Sequence, residues 1–314
     1  MNKIQIFTFY TSPASLQSHN PTIMEEDNFK ADWLNERYPY DSEARNKTIE
    51  ATALNYLKAK TSLTLVDVGS GTGSNALYLM DKLKQDQSWT FIEMDTSLNA
   101  ILIRRLKDFA LYHKYEWEVQ KNIYIITTPS KKLSFQILNE SLLNVANLVD
   151  LSSVDLILAN AVFDLLTATQ IETFLQPVLA EKVACLFTMN YQQMSFTPAD
   201  PFDDSYITLY DQHMERSQDF GQAMGKQAGS KLAQLFKEAD WLSHEANSYW
   251  QLLEVDIKMH YYLLNFMDNA LQELEFDAQL KEQFPKWLQR KKELIMTRRQ
   301  QLTVGHLDVF ATAK

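Results

Sequence analysis

Asp67, Gly69, Gly71 and Gly73 fall inside the run LTLVDVGSGTGSNALYLM, residues 63–80, where three of the chain's 7 glycines stand at alternate positions. Glycine is concentrated where a backbone must bend sharply and come close to a ligand. The backbone amides of Gly69, Ser70, Gly71 and Thr72 are on offer there, and a helix opening at about residues 73–75 adds its N-terminal donors and the positive end of its dipole. The chemistry this permits is capture of an acceptor-rich ligand, with the Asp67 carboxylate placed to meet it.

The elements that position these groups read as alternating strands and helices. Leu63, Leu65, Val66 and Val68 suit a strand buried on both faces of a parallel sheet. In such sheets ligands lie outside the carboxyl ends of the strands. A second strand at 89–94 runs into Asp95, about 20 residues beyond the last glycine, the distance expected for an acid on ribose hydroxyls. Glu93 points to the other face of that strand, so Asp95 is taken as the ribose ligand and Glu93 stands second. Ser97 is placed to cap a helix over 98–113. VDLILANAVFDLL, residues 154–166, is a further buried strand followed by a loop, and 133–138 is a third strand ending at Asn139.

The spacing separates two cofactor classes. A dinucleotide fingerprint is G-x-G-x-x-G; here the pattern is D-V-G-S-G-T-G-S-N. This resembles motif I of the class I S-adenosylmethionine-dependent methyltransferases, in which the loop wraps the amino-acid end of the cofactor. The resemblance covers residues 63–186 through named motifs and the two end strands by layout. It implies an α/β, Rossmann-like, seven-stranded, mostly parallel sheet with helices on both faces and an antiparallel last strand. It also implies S-adenosylmethionine as cofactor, with S-adenosylhomocysteine as product, held by Arg45, Asp67, Gly69, Ser70, Gly71, Gly73, Asn75, Asp95, Thr96, Asn139, Asn160 and Ala161. Asn160 and Ala161 would lie beside the methylsulfonium with Asp164 nearby, and Asn139 marks where an adenine contact is sought. More loosely, WLNERYPYDSEAR, FGQAMG and VGHLDVFA are similar to a bacterial group of these enzymes without an assigned substrate. Methyltransferases of exocyclic base amines carry an Asp/Asn-Pro-Pro-aromatic segment where this chain has Asn160-Ala161-Val162-Phe163, without either proline. Cytosine-C5 enzymes need a cysteine after this strand, and the only one, Cys185, reads as the core of a fifth strand at 183–189.

Composition points the same way. A chain of 314 residues that is 46% hydrophobic can bury a large core. A net charge of −10 opposes a nucleic-acid backbone. One cysteine precludes an internal disulfide and fits a reducing, cytoplasmic setting. No run approaches a membrane span, the first residues make no secretory signal, and no metal-ligand spacing is present.

Along the chain, residues 1–24 read as a flexible arm and 25–60 as a helical lid, broken at Pro39 with Asp41 capping its second helix. The methyltransferase domain spans 61–314. Trp33, Arg37, Tyr40 and Arg45 would line the cofactor entrance, one arginine on the methionine carboxylate; a solvated helix with Trp33 in the core is the equal alternative. Residues 190–225 read as a polar, aromatic substrate loop, with Tyr191 and Asp219 as substrate contacts and Asp200, Asp203 and Asp204 of the same standing. Its one imidazole, His213, is the first choice of general base and Asp164 the second, although a surface histidine beside a carboxylate is the commoner role. A helix at 226–241, a sixth strand at 243–252, a helical stretch at 256–299 kinked at Pro285, and a closing strand at 301–311 complete the fold. His306 reads as a satisfied strand residue, and the run with Arg290, Lys291 and Lys292 as a solvated face.

Methyl transfer to an oxygen or nitrogen of a small molecule, by in-line displacement, is the expected activity. The open alternatives are an RNA methyltransferase, a non-catalytic S-adenosylmethionine-binding protein and a nicotinamide-dependent oxidoreductase. Nucleic acid and membrane are not expected as partners, and monomer and homodimer both remain open.

Overall fold

The computed structural model describes residues 23–218 and 221–314. Its strands are β1 (Ser62–Val68), β2 (Asp86–Ile92), β3 (Glu116–Gln120), β4 (Ile123–Thr127), β5 (Lys132–Leu138), β6 (Leu156–Asn160), β7 (Ala184–Thr197), β8 (Ser217–Gln218), β9 (Gly221–Gln222), β10 (Leu242–Leu252) and β11 (Gln301–Thr312). Its helices are α1 (Ile23–Ala44), α2 (Lys47–Leu57), α3 (Ser74–Leu79), α4 (Thr96–Tyr112), α5 (Val145–Leu148), α6 (Ala168–Ala180), α7 (Asp203–Met214), α8 (Ala228–Glu238), α9 (Ile257–Gln272) and α10 (Ala278–Met296).

A nine-stranded sheet runs in the order β10-β11-β7-β6-β1-β2-β5-β4-β3. From β7 to β5 the strands are parallel, and helices cover both faces, which is why their sequences are apolar on both sides. β11 runs antiparallel to both β7 and β10. The seven expected strands are therefore present in the expected arrangement. The sheet gains two more because residues 114–153 hold the β3–β4 hairpin, antiparallel against β5. Its signal is the alternation in EWEVQKNIYIIT, interrupted by Lys121 at a φ of 55°.

Four boundaries differ from the sequence reading, three through local caps and one through tertiary pairing. Pro39 lies inside α1 without ending it, and Asn46, not Asp41, caps α2 by accepting from Thr48 N at 3.0 Å and Ile49 N at 3.2 Å. Residues 190–197 are no loop: β7 continues for 14 residues because Tyr191, Met194 and Phe196 bury one face against the core and β11 supplies a pairing partner. α9 and α10 separate before Asp277, which caps α10, while Pro285 lies within that helix. Asp95, not Ser97, caps α4. The arm assigned to 1–24 falls on residues outside those described, up to Ile23, where α1 begins.

Behind the parallel strands, apolar clusters fill the space under α2 to α4 on one face and under α6 and α8 on the other. A third cluster packs the long halves of β7, β10 and β11 against α1, α7, α9 and α10. Trp33 anchors α1 in it: the ring is 5% exposed and meets Phe266 edge-on at 4.8 Å, a burial contributing about 1.5–3 kcal/mol. Asp308 of β11, almost wholly buried, accepts from Asn46 N at 2.8 Å, Met189 N at 2.8 Å and Ser248 Oγ at 2.9 Å. One carboxylate thus ties the α1–α2 joint to β7 and β10.

Candidate active site

The glycine loop leaves the end of β1 and is held from three directions. Gly69 N donates to Ile92 O at 2.8 Å, and a Cβ on Gly69, at φ +60°, would lie 2.8 Å from Val162 Cγ2. No other residue fits there. Gly71 N donates to Glu93 Oε2 at 2.9 Å, and Glu93 Oε1 accepts from Asp95 N at 2.9 Å. From α4, Arg105 Nη1 donates to Thr72 O at 3.0 Å and Thr72 Oγ1 at 2.6 Å, with its guanidinium 5.0 Å above the Tyr38 ring of α1. Gly73, at φ +80°, opens α3.

Below the loop a buried polar chain begins. Asp67 Oδ1 accepts from Asn75 Nδ2 at 2.9 Å, while its Oδ2 has no partner. Burial pushes the Asp67 carboxyl up to about 7, with Glu93 adding to the rise and Asn75 and Arg45 opposing it. Arg45, from the end of the lid, is 4% exposed; its Nη2 donates to Asn75 Oδ1 at 2.6 Å and to Asn160 Oδ1 at 3.3 Å. Arg45 Nε and Ser70 Oγ are buried without partners. Asn160 Nδ2 donates to Asp41 Oδ2 at 3.0 Å, and Asp41 also accepts two bonds from Arg37, both at 3.1 Å, and one from Trp250 Nε1 at 3.1 Å. The chain from Asp67 to Trp250 crosses the carboxyl edge of the sheet beneath α1. Ala161, at a φ of 55°, turns the backbone after Asn160.

A strand–glycine loop–helix unit at the centre of a doubly wound sheet, an acid closing the next strand and an asparagine ending β6 together make a nucleoside-cofactor site. The family model for the ribosomal RNA adenine dimethylases matches residues 21–183, more than half of the chain. The chain belongs to that family. It is a class I S-adenosylmethionine-dependent methyltransferase. No curated protein matches it. Among solved structures, the plantazolicin methyltransferase in complex with S-adenosylhomocysteine is similar at 14% identity over 93% of this chain and 92% of that one, with a TM-score of 0.43. The cyclopropane synthase of Mycobacterium tuberculosis is similar at 12% identity over 99% and 94%, TM-score 0.41. A methyltransferase of Geobacter sulfurreducens is similar at 11% over 88% and 98%, TM-score 0.38. Likenesses this distant carry nothing about the acceptor.

Around the methyltransferase site the remaining expected residues divide. Asp95 is engaged as a helix cap, its Oδ1 accepting from Ser97 N at 2.9 Å and Ser97 Oγ at 2.6 Å, and Glu93 is the acid that reaches the glycine loop. Thr96 is exposed in the first turn of α4. Asn139, exposed after β5, reaches Met94 O at 2.8 Å with its amide oriented to donate. Asp164 lies in the turn after β6; its Oδ1 is buried without a partner, and burial pushes the carboxyl up to about 6 against the Arg37 charge. Tyr191 is buried on β7 and donates to Asp211 Oδ1 at 2.9 Å, and Lys226 holds Asp211 Oδ2 at 2.9 Å. Arg37 is within the polar chain, but Trp33 is a core residue.

His213 is corrected. Its Nε2 faces Glu273 Oε2 at 3.0 Å and its Nδ1 faces Arg216 Nη1 at 2.7 Å, so the ring's accepting lone pair is already used. Burial and the Arg216 charge lower it to about 4. Asp219 lies outside the described residues. Asp200 and Asp203 are structural: Arg290 grips Asp200 at 2.6 and 3.0 Å, and Lys291, fully buried and no part of a solvated face, meets Asp203 at 2.8 Å.

Four residues were missed as site groups. Asp41 was legible, because RYPYD sets it four residues after Arg37 on one helical face. Arg105, Trp250 and His306 carry no local signal. His306 is 3% exposed, its ring 5.0 Å from that of Trp250 and bonded to the Ser248 backbone, while its Nδ1 is buried without a partner among the described residues, so the ring is satisfied on one side only.

Proposed function

We propose that the enzyme transfers the methyl group of S-adenosylmethionine to a nitrogen or oxygen of a small molecule seated between the β6 turn, the long half of β7 and α1. The residues present suit the cofactor's amino-acid end: Arg45 Nε and Ser70 Oγ are buried donors for a carboxylate, and Asp67 Oδ2 is a buried acceptor for an ammonium. Glu93, which already touches the glycine loop through Gly71 N, takes the ribose hydroxyls in preference to Asp95, whose Oδ1 caps α4. Asn139 lies on the adenine side, and Gly69 to Gly73, Asn75, Asn160 and Ala161 shape the rest.

The bound cofactor supplies a methyl group already activated by its sulfonium. The protein's task is to hold the acceptor in line with it, and positioning of this kind can supply about 7–11 kcal/mol. Asp164 is the base, placed after Asn160 with one free carboxylate oxygen and raised toward neutrality.

The observation that carries the small-molecule reading is Phe163. In Asn160-Ala161-Val162-Phe163 it occupies the place of an aromatic that stacks on an extruded base, yet it is 0% exposed and packed against Phe187 at 4.5 Å and Phe174 at 5.5 Å. A buried ring offers a base no platform. The second reading, RNA, is favoured by the family match. Incubation with labelled methyl donor and cell extract decides between them: label in the small-molecule fraction is the expected result, and label in RNA, with binding that weakens steeply with salt, would reverse it.

A further inference from the structure

Two buried acceptor atoms on the proposed acceptor side of the site have no partner among the described residues. Asp164 Oδ1 and His306 Nδ1 are both shut off from solvent and accept no hydrogen bond from any described residue. They come from distant parts of the chain, the turn after β6 and the middle of β11, and the Arg37 charge acts on both. His306 stands opposite Tyr191 of β7 in the pairing of the strands, and Tyr191 in turn feels the Asp164 charge. Trp250 of β10 packs its ring 5.0 Å from that of His306, and the Arg37 guanidinium lies 5.1 Å over the Trp250 ring.

The charges there are unevenly matched. Arg37 is paired by two hydrogen bonds to Asp41, and Asp211 is paired to Lys226. Asp164 makes no ion pair of its own with any described residue. Leaving a buried acceptor unmet costs about 1–3 kcal/mol, and more for a charged group, so each of the two calls for a ligand that brings a donor. A hydroxyl brings one hydrogen and no charge. A protonated amine brings several N–H donors and the missing positive charge, and an aromatic wall of tryptophan and tyrosine suits a cation.

We propose that the acceptor is a small primary or secondary amine, recognised as its ammonium by Asp164 Oδ1 and His306 Nδ1. This rests on the small-molecule reading above and narrows it. One N–H proton passes to Asp164, leaving a neutral amine whose lone pair forms the new N–C bond. The methyl carbon leaves sulfur, which keeps the bonding pair, and the product leaves as a methylated ammonium. His306 Nδ1 holds a second N–H and so aims the lone pair.

The test uses the intact protein with tritium-labelled methyl donor and a small-molecule cell extract, half of it first treated with an amine-acetylating ester. Acetylation is expected to cut incorporation at least tenfold. With the labelled amine isolated, Asp164→Asn should lower kcat/KM at least a hundredfold and His306→Asn at least tenfold, while S-adenosylhomocysteine affinity by calorimetry stays within threefold, which also reports that the variants fold. Label that resists acetylation, label confined to RNA, or no label in any fraction from a protein that binds S-adenosylhomocysteine would overturn the amine site. Failure to bind S-adenosylhomocysteine would instead overturn the reading on which it rests.

Discussion

The two halves of the site are built in opposite ways. The cofactor half is nearly continuous in sequence: Asp67, Gly69 to Gly73 and Asn75 lie on β1, its loop and α3, and their geometry is enforced by backbone dihedrals and a few bonds to β2 and α4. The proposed acceptor half draws on α1, the β6 turn, β7, β10 and β11, so that Arg37, Asp164, Tyr191, Trp250 and His306 come to the same side of the molecule only because the sheet folds. A local motif is fixed by what its own residues can adopt, whereas an assembled pocket depends on every strand register that brings it together. The first should fail through single backbone changes, the second through loss of distant supports.

The largest effect expected from this contrast is at Gly69. Gly69→Ala forces a Cβ into the left-handed region and against Val162, costing about 2–5 kcal/mol of loop geometry. Calorimetry should show S-adenosylhomocysteine affinity down by roughly thirtyfold to several thousandfold. An unchanged affinity would break the claim that the loop is locally dictated.

Next is the support of the assembled half. Asp308→Ala abandons the amides of Asn46 and Met189 and the Ser248 hydroxyl, and a loss of about 3 kcal/mol or more in urea unfolding is expected. If stability is kept, the α1–α2 joint is not held by β11.

A smaller effect distinguishes two acids only two residues apart. Glu93→Gln should weaken S-adenosylhomocysteine by about 1.5–3 kcal/mol, as expected for a hydrogen bond to a charged group, and Asp95→Asn should leave affinity nearly unchanged. Asparagine caps helices as well as aspartate, so unfolding of Asp95→Asn should also stay close to wild type. The reverse pattern would return the ribose contact to Asp95.

The last concerns pH, and its effect is spread over several pH units. Folding raises the Asp67 carboxyl from its ordinary range to about 7, so the folded chain binds that proton more tightly than the unfolded one. Stability from this group is therefore full below about pH 4 and is lost as pH rises toward 7, at up to roughly 1.4 kcal/mol per pH unit. Unfolding followed across that range should show the decline shallower by up to that amount in Asp67→Asn. Equal slopes in the two proteins would show that Asp67 titrates normally.

The same contrast explains what the sequence made visible. The five parallel strands, the glycine turn and Asn160 were legible because buried strands and tight turns restrict residue type locally. The acid on β2 was narrowed to two, with Asp95 preferred for its distance from the last glycine and for its face of the strand; the helix cap made by its Oδ1 and the bond from Gly71 N to Glu93 are tertiary and loop details that spacing does not show. β7 beyond Met189 was read as a loop because Asn190, Gln192, Gln193, Ser195 and Thr197 make it polar, and only pairing with β11 makes it a strand. His213 attracted attention as an imidazole in a polar segment, but Arg216 and Glu273 already occupy its nitrogens, and Glu273 lies two helices on. His306 looked inert for the opposite reason: nothing within its own strand shows that Nδ1 is left unmatched.

The central claim is that Gly69 to Gly73 cradle a methyl donor. Titrating the intact chain with S-adenosylhomocysteine in a calorimeter, with reduced nicotinamide dinucleotide as the control, tests it most directly. Saturable binding of one S-adenosylhomocysteine per chain with no heat from the dinucleotide is the predicted result. Binding of the dinucleotide alone, or of neither ligand, would contradict it.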